Sequence, residues 1–170
     1  MIVIRREKPD EDLATIRHVV LHAFGSAAEA DLVDALRRAG KATLSLVAED
    51  NGRIIGHILF SPVTLETADG VRQGVGLAPL AVWPERQNEG IGSMLVRQGL
   101  TECRAAGHPF VVVLGHPAYY PRFGFTPASR FGIKTEYEVR DEAFMALELQ
   151  ENALQGCAGL VKYQLEFSSF

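Results

Sequence analysis

Between Leu80 and Leu114 the chain reads strand, glycine-rich turn, helix, strand, and no other stretch constrains the fold as tightly. Leu80-Ala81-Val82-Trp83 has strand character, Pro84 to Glu89 is polar and turn-like, and Gly90-Ile91-Gly92 leads into a helix running to about Ala106. Ile91, Leu95, Gly99 and Cys103 fall on one helical stripe, with Val96 and Leu100 beside it. Phe110 to Leu114 is an unbroken apolar run, as expected of a strand buried on both faces. Two strands bridged by a helix in this way form a parallel crossover unit. The first turn of a helix leaves backbone N–H groups without acceptors at the positive end of the helix dipole. Gly90 and Gly92 let an anion, usually phosphate, approach that backbone closely.

The flanking residues read as hairpins and amphipathic helices. Thr43 to Glu49 and Arg53 to Thr67 are two strands joined at Asp50-Asn51-Gly52, and Asn-Gly is a strong hairpin signal. Ala68-Asp69-Gly70 turns the chain into a further strand, Arg72 to Val82. Pro79 removes a ladder donor there, which implies that the strand bulges or splays from its neighbour near Ala78-Pro79. His57, beside Gly56, is either a ligand-facing or a core residue. Ile2 to Arg6 is a short strand, and Pro9 with Asp10, Glu11 and Asp12 fits the first turn of a helix. Leu13, Ile16, Val20 and Phe24 then recur at helical spacing until Gly25. His18 and His22 lie on this helix, as substrate contacts or as surface side chains. A second helix from about Ala28 turns Leu32, Val33 and Leu36 inward and stops at Gly40. Beyond Phe125 the chain is less regular, and Ala143 to Leu149 and Leu160 to Phe167 are the expected closing strands.

The 170 residues suit one domain spanning 1–170. A net charge of −4 gives no electrostatic footprint for nucleic acid. There is no apolar run of membrane-spanning length, so no membrane association is expected. The two cysteines, Cys103 and Cys157, form no CxxC and suggest neither a disulfide framework nor a metal site. With no secretory leader at Met1, a reducing cytoplasm is the expected setting.

Two nucleotide-binding readings fail on the residues. A Walker loop requires Gly-Lys-Ser/Thr, and Gly92-Ser93-Met94 lacks the lysine; a dinucleotide fingerprint requires a third glycine, where Leu95 stands. Gln87-Asn88-Glu89-Gly90-Ile91-Gly92 instead resembles the Q/R-x-x-G-x-G/A loop of the GCN5-related N-acetyltransferase superfamily. Leu80-Ala81-Val82-Trp83-Pro84 resembles the strand that leads into that loop, and Tyr120-Pro121-Arg122-Phe123-Gly124-Phe125 resembles its Tyr-x-x-x-Gly-Phe motif. The run from Leu114 to Phe125 is most similar to the bacterial YhbS-like branch.

The resemblance implies an α/β (mixed α+β) acyl-CoA N-acyltransferase fold. Its central mixed, mostly antiparallel sheet is splayed between the fourth and fifth strands and has helices on both faces. It implies acetyl-CoA as cosubstrate, with no metal. Leu80, Ala81 and Val82 would pair with the pantetheine arm, and Gln87, Asn88, Glu89, Gly90, Ile91, Gly92 and Ser93 would hold the pyrophosphate. It further implies direct attack of an amine on the thioester, with the Val82 N–H polarising the carbonyl and Tyr120 protonating the leaving thiolate. Adjacent Tyr119 is the competing acid. The family's asparagine seven residues before the tyrosine is replaced by Val113, so that contact is absent. Candidate bases are His116, Glu66, Glu85 and His57, with His116 in the catalytic corner. The acceptor is a small-molecule or peptide amine. A non-catalytic acyl-CoA sensor and a purely structural subunit are the alternative classes. Phe167 and Phe170 belong either to a homodimer contact or to an exposed tail.

Overall fold

The computed structural model describes residues 1–169, with side chains to residue 168; Phe170 lies outside the described residues. The chain falls into two compact units. One comprises Met1–Ser61, Ala78–Thr101 and Leu165–Phe170, the other Pro62–Leu77 and Glu102–Gln164.

The first unit contains β1 (Ile2–Arg6), β2 (Leu44–Asp50), the start of β3 (Arg53–Thr67) and the end of β4 (Gly70–Val82). Antiparallel ladders join β1 to β2 and β2 to β3, with a register shift at Ala48/Glu49. Asn51 and Gly52, both at positive φ, form the predicted tight turn. Helices α1 (Leu13–Phe24) and α2 (Ala28–Arg38) cover one face. Their Ile16, Val19, Val20, Leu32, Val33 and Leu36 pack with Val47, Leu59 and Ala81 of the strands. Burying each such aliphatic side chain contributes about 1.5–3 kcal/mol. The opposite face meets α3 (Ile91–Ala105). A Cβ on Gly99 would lie 2.5 Å from the Phe60 ring, and one on Gly56 3.1 Å from Leu95, so both glycines permit close helix–strand packing. Strand alternation thus gives helices on both faces, as the sequence implied.

The second unit contains the remaining parts of β3 and β4 with β5 (Phe110–Leu114), β6 (Thr126–Pro127), β7 (Ile133–Thr135), β8 (Phe144–Glu148) and β9 (Gly159–Lys162). β5 pairs with β8 antiparallel, and β9 pairs with both β3 and β7. The parallel β4–β5 ladder covers only Val75↔Val111 and Gly76↔Val112, while β4 runs on for six residues to Val82. This short ladder is the expected splay, ending just before Pro79. Val63, Leu65, Phe110, Val112, Phe144 and Val161 form the core of this unit. Among the described residues, nine strands pair in the order β1-β2-β3-β4-β5-β8-β6, with β9 and β7 branching from β3.

Three expectations are corrected. Helix α1 begins at Leu13, not near Pro9, because the Asp12 carboxylate accepts the Lys8 N–H at 2.6 Å and pairs with Arg5 at 2.8 Å. The last strand ends at Lys162, and Leu165–Ser169 is a short 3-10 turn. Phe167 packs against the α1–α2 cluster of its own chain, so it is not an exposed tail residue.

Candidate functional site

The predicted anion-binding loop is built from the end of β4, one 3-10 turn (Pro84–Arg86) and the start of α3, all within the first unit. Trp83 N–H donates to the Ile55 carbonyl at 2.8 Å, which fixes the alternation at the end of β4. Ala81 shares the β3 side with Trp83; a Cβ on Gly56 of β3 would lie 3.3 Å from its carbonyl oxygen. Leu80 and Val82 consequently turn their backbone N–H and C=O groups to the opposite edge. The Gln87 side-chain amide donates to the Val82 carbonyl at 3.0 Å, tying the loop to that edge.

The loop backbone is shaped by Asn88 (φ 67°) and Gly90 (φ 83°). Asparagine and glycine tolerate this left-handed region. The Glu89 carboxylate turns to Arg86 at 3.1 Å, and Arg86 also pairs with Asp50 at 3.1 Å. The loop's negative side chain is thereby held by a cation. Ile91 is buried and anchors the helix start in the core. The first helical bond runs from Met94 N–H to the Gly90 carbonyl at 3.1 Å. The Ile91 and Gly92 N–H groups precede it, in the turn where helix geometry supplies no acceptor. Ser93 follows them, half-buried. The whole predicted set from Leu80 to Ser93 is thus assembled on one strand–turn–helix corner.

On the α1 side of this corner, the His22 ring stacks on Trp83 at 4.7 Å between centroids and the His18 ring at 5.4 Å. The two imidazoles lie 4.2 Å apart. The 3.6-residue period places His18 and His22 on one helix face, but it names no ring for them to meet.

His57 is fully buried, which removes it from the candidate bases. Ser45 Oγ donates to Glu7, and Glu7 pairs with Arg37 of α2 at 2.7 Å. The Ser45 hydroxyl proton being committed, His57 Nε2–H donates to Ser45 Oγ at 2.8 Å, and buried Nδ1 has no partner. Desolvation pushes the His57 imidazole down to about 4, so it is neutral at pH 7. This Arg37–Glu7–Ser45–His57 chain spans residues far apart in sequence, and no local pattern announces it. Glu66 is paired with Lys162 at 3.5 Å, and Glu85 is exposed.

The aromatic corner lies in the second unit. Tyr120 is 7% exposed, with its ring edge-on to Tyr119 at 5.1 Å and to Phe125 at 5.7 Å. A Cβ on Gly115 would collide with the Tyr120 ring, so this ring position requires glycine there. Burial pushes the Tyr120 phenol well above its ordinary value, and it keeps its proton at neutral pH. Tyr119 is more open, with the Arg122 guanidinium 4.5 Å over its ring. His116 is exposed, and its carbonyl accepts the Tyr119 N–H at 3.0 Å.

The short β4–β5 ladder, the glycine turn opening α3 and the buried Tyr120 carry the three motifs on which the acyltransferase resemblance rests. The acetyltransferase (GNAT) domain family matches residues 4–128, and the chain belongs to that family. The uncharacterized N-acetyltransferase YhbS of Escherichia coli K12 is 40% identical, covering 99% of this chain and 100% of its own. The crystal structure of E. coli YhbS in complex with CoA superposes with a TM-score of 0.92 at 39% identity, over 99% of this chain and 93% of that one. A GNAT family acetyltransferase from Brucella melitensis, solved with acetyl-CoA, gives 0.81 at 39% identity over 98% of both chains.

Proposed function

We propose that this chain is an acetyl-CoA-dependent N-acetyltransferase of the cytoplasm, acting by direct attack of a small-molecule or peptide amine on the thioester. The observation that carries the proposal is the continuous edge from Leu80 and Val82 into the Gly90–Gly92 helix start. It offers strand-like pairing for an amide-containing arm and then N–H donors for a pyrophosphate. The relatives solved with CoA and acetyl-CoA support the same ligand here.

The Val82 N–H is the proposed donor to the tetrahedral oxyanion, with the Leu80 N–H two residues upstream on the same edge. Gln87, through its bond to the Val82 carbonyl, holds the following peptide and with it the Val82 backbone that presents this N–H. Tyr120, protonated by virtue of its burial, supplies the proton to the departing thiolate.

The test is thiol release from acetyl-CoA across a panel of amines, beside calorimetry with CoA. Tyr120→Phe is expected to lower kcat about 100-fold while leaving CoA affinity unchanged. CoA binding without turnover on any amine would instead favour a sensor role.

A further inference from the structure

We propose that His22, rather than His116, accepts the proton of the attacking amine; this rests on the acetyltransferase reading above. The argument begins with the faces of β4. The Leu80 and Val82 side chains share the face covered by α3, whose N-terminus is the proposed pyrophosphate grip. Ala81 and Trp83 point to the other face, where they join the α1–α2 cluster. A nucleophile attacks a thioester perpendicular to its plane. With the cofactor's phosphates on the α3 side, the approach left at Val82 is past the last turn of α1, where the sheet face is no longer sealed: Ala81 is buried, but Trp83 is half-buried and His22 exposed.

On that side, His22 is an exposed titratable side chain in ring contact with Trp83, the residue immediately after Val82. Its orientation is fixed twice. The ring stacks on Trp83 at 4.7 Å, and its Nδ1 lies 2.8 Å from the His18 carbonyl. A carbonyl only accepts, so Nδ1 carries the proton and Nε2 carries the lone pair. That is the tautomer a proton acceptor requires.

The charged neighbours are ion-paired, and a second imidazole stands beside His22. His18 packs against His22 on the same helix, Arg17 is paired with Asp31 and Asp34, and Arg86 beyond Trp83 is paired with Asp50 and Glu89. His57 on β3, beneath the same helices, is sealed from solvent.

In the proposed step the N–C bond forms and the C–S bond breaks. The proton on the attacking nitrogen passes to His22 Nε2 and then to water, and the thiolate is protonated by Tyr120 or solvent. His22 is thereby a catalytic residue, and Trp83 and the His18 carbonyl position it.

The test follows thiol release from acetyl-CoA with aminoacetonitrile, small enough that acceptor-pocket shape does not select against it and weakly basic enough to be largely neutral above pH 6, so that its own ionisation does not supply the acidic limb. The proteins compared are wild type, His22→Gln and His116→Gln, between pH 5.5 and 9. His22→Gln is expected to lose about 100-fold in kcat and the acidic limb of the pH profile, with the KM for acetyl-CoA unchanged. His116→Gln is expected to retain both. A wild-type pH profile in His22→Gln, or loss of the limb in His116→Gln alone, overturns the assignment and leaves the acetyltransferase reading standing. Absence of release by wild type that still binds CoA refutes catalysis itself, and the role of His22 with it.

Discussion

Replacing His57 with leucine should make the protein less sensitive to acid. The native imidazole is fully buried, held by Ser45 through Nε2 and bare at Nδ1. Desolvation lowers its pKa from 6.5 to about 4. Between those values the unfolded chain binds a proton at this site and the native chain does not, so stability falls as pH drops through the window. A shift of that size, at about 1.4 kcal/mol per pH unit, corresponds to about 3 kcal/mol lost between pH 7 and pH 4. Leucine is similar in volume and does not titrate, and Ser45 still donates to Glu7. Urea unfolding midpoints at half-unit pH steps should show the variant escaping that loss, with the two curves diverging below pH 6.5. Parallel curves would refute the account of a neutral, sealed imidazole and return His57 to the candidate bases.

Other perturbations address the loop and the aromatic corner. Gly90→Ala meets no atom within 4 Å but places a side chain at φ 83°; the loop should relax away from this conformation to escape about 1–2 kcal/mol of strain, weakening CoA binding up to about 5–30-fold. Gly40→Ala carries similar strain at φ 72° outside the loop and should lower stability without changing CoA affinity in calorimetry. Gln87→Ala removes the bond to the Val82 carbonyl and should raise the Kd for CoA by about 3–10-fold, the worth of one hydrogen bond. Gly115→Ala should displace the Tyr120 ring, costing about 1–3 kcal/mol in thermal unfolding and lowering thiol release more than CoA affinity.

Local signals made the central corner legible. Asn51-Gly52 set the β2–β3 turn, the Ile91–Cys103 stripe set α3, and the apolar Phe110–Leu114 run set β5. Pro79 anticipated the end of the β4–β5 ladder, and the family motifs placed the loop and Tyr120 on those elements. Failures occurred where distant partners overrode local preference. Asp12 is engaged by Arg5 and Lys8, which delays α1 to Leu13. β6 and β7, two and three residues long, carry too little periodicity to register and exist through pairing with β8 and β9. Phe167 leaves the strand direction to reach the α1–α2 cluster. In the candidate site, Gly90 was readable because its left-handed backbone favours glycine, and Gly92 because it completes the family's loop motif. The Gln87–Val82 tie, the Arg86 pairing and the His22–Trp83 stack were not, since each depends on how a loop or helix side chain meets another element.

The central claim is that the edge from Leu80 to Val82 and the amides through Gly92 grip CoA. Backbone amide hydrogen exchange with and without CoA tests it most directly. Saturating CoA should slow exchange at Leu80 and Val82 and at Gly90 through Gly92, while Ala81 and Trp83, which face β3, remain unchanged. Protection elsewhere with none on this segment, or no response at roughly 1 mM CoA, a weak-affinity ceiling, would contradict the account.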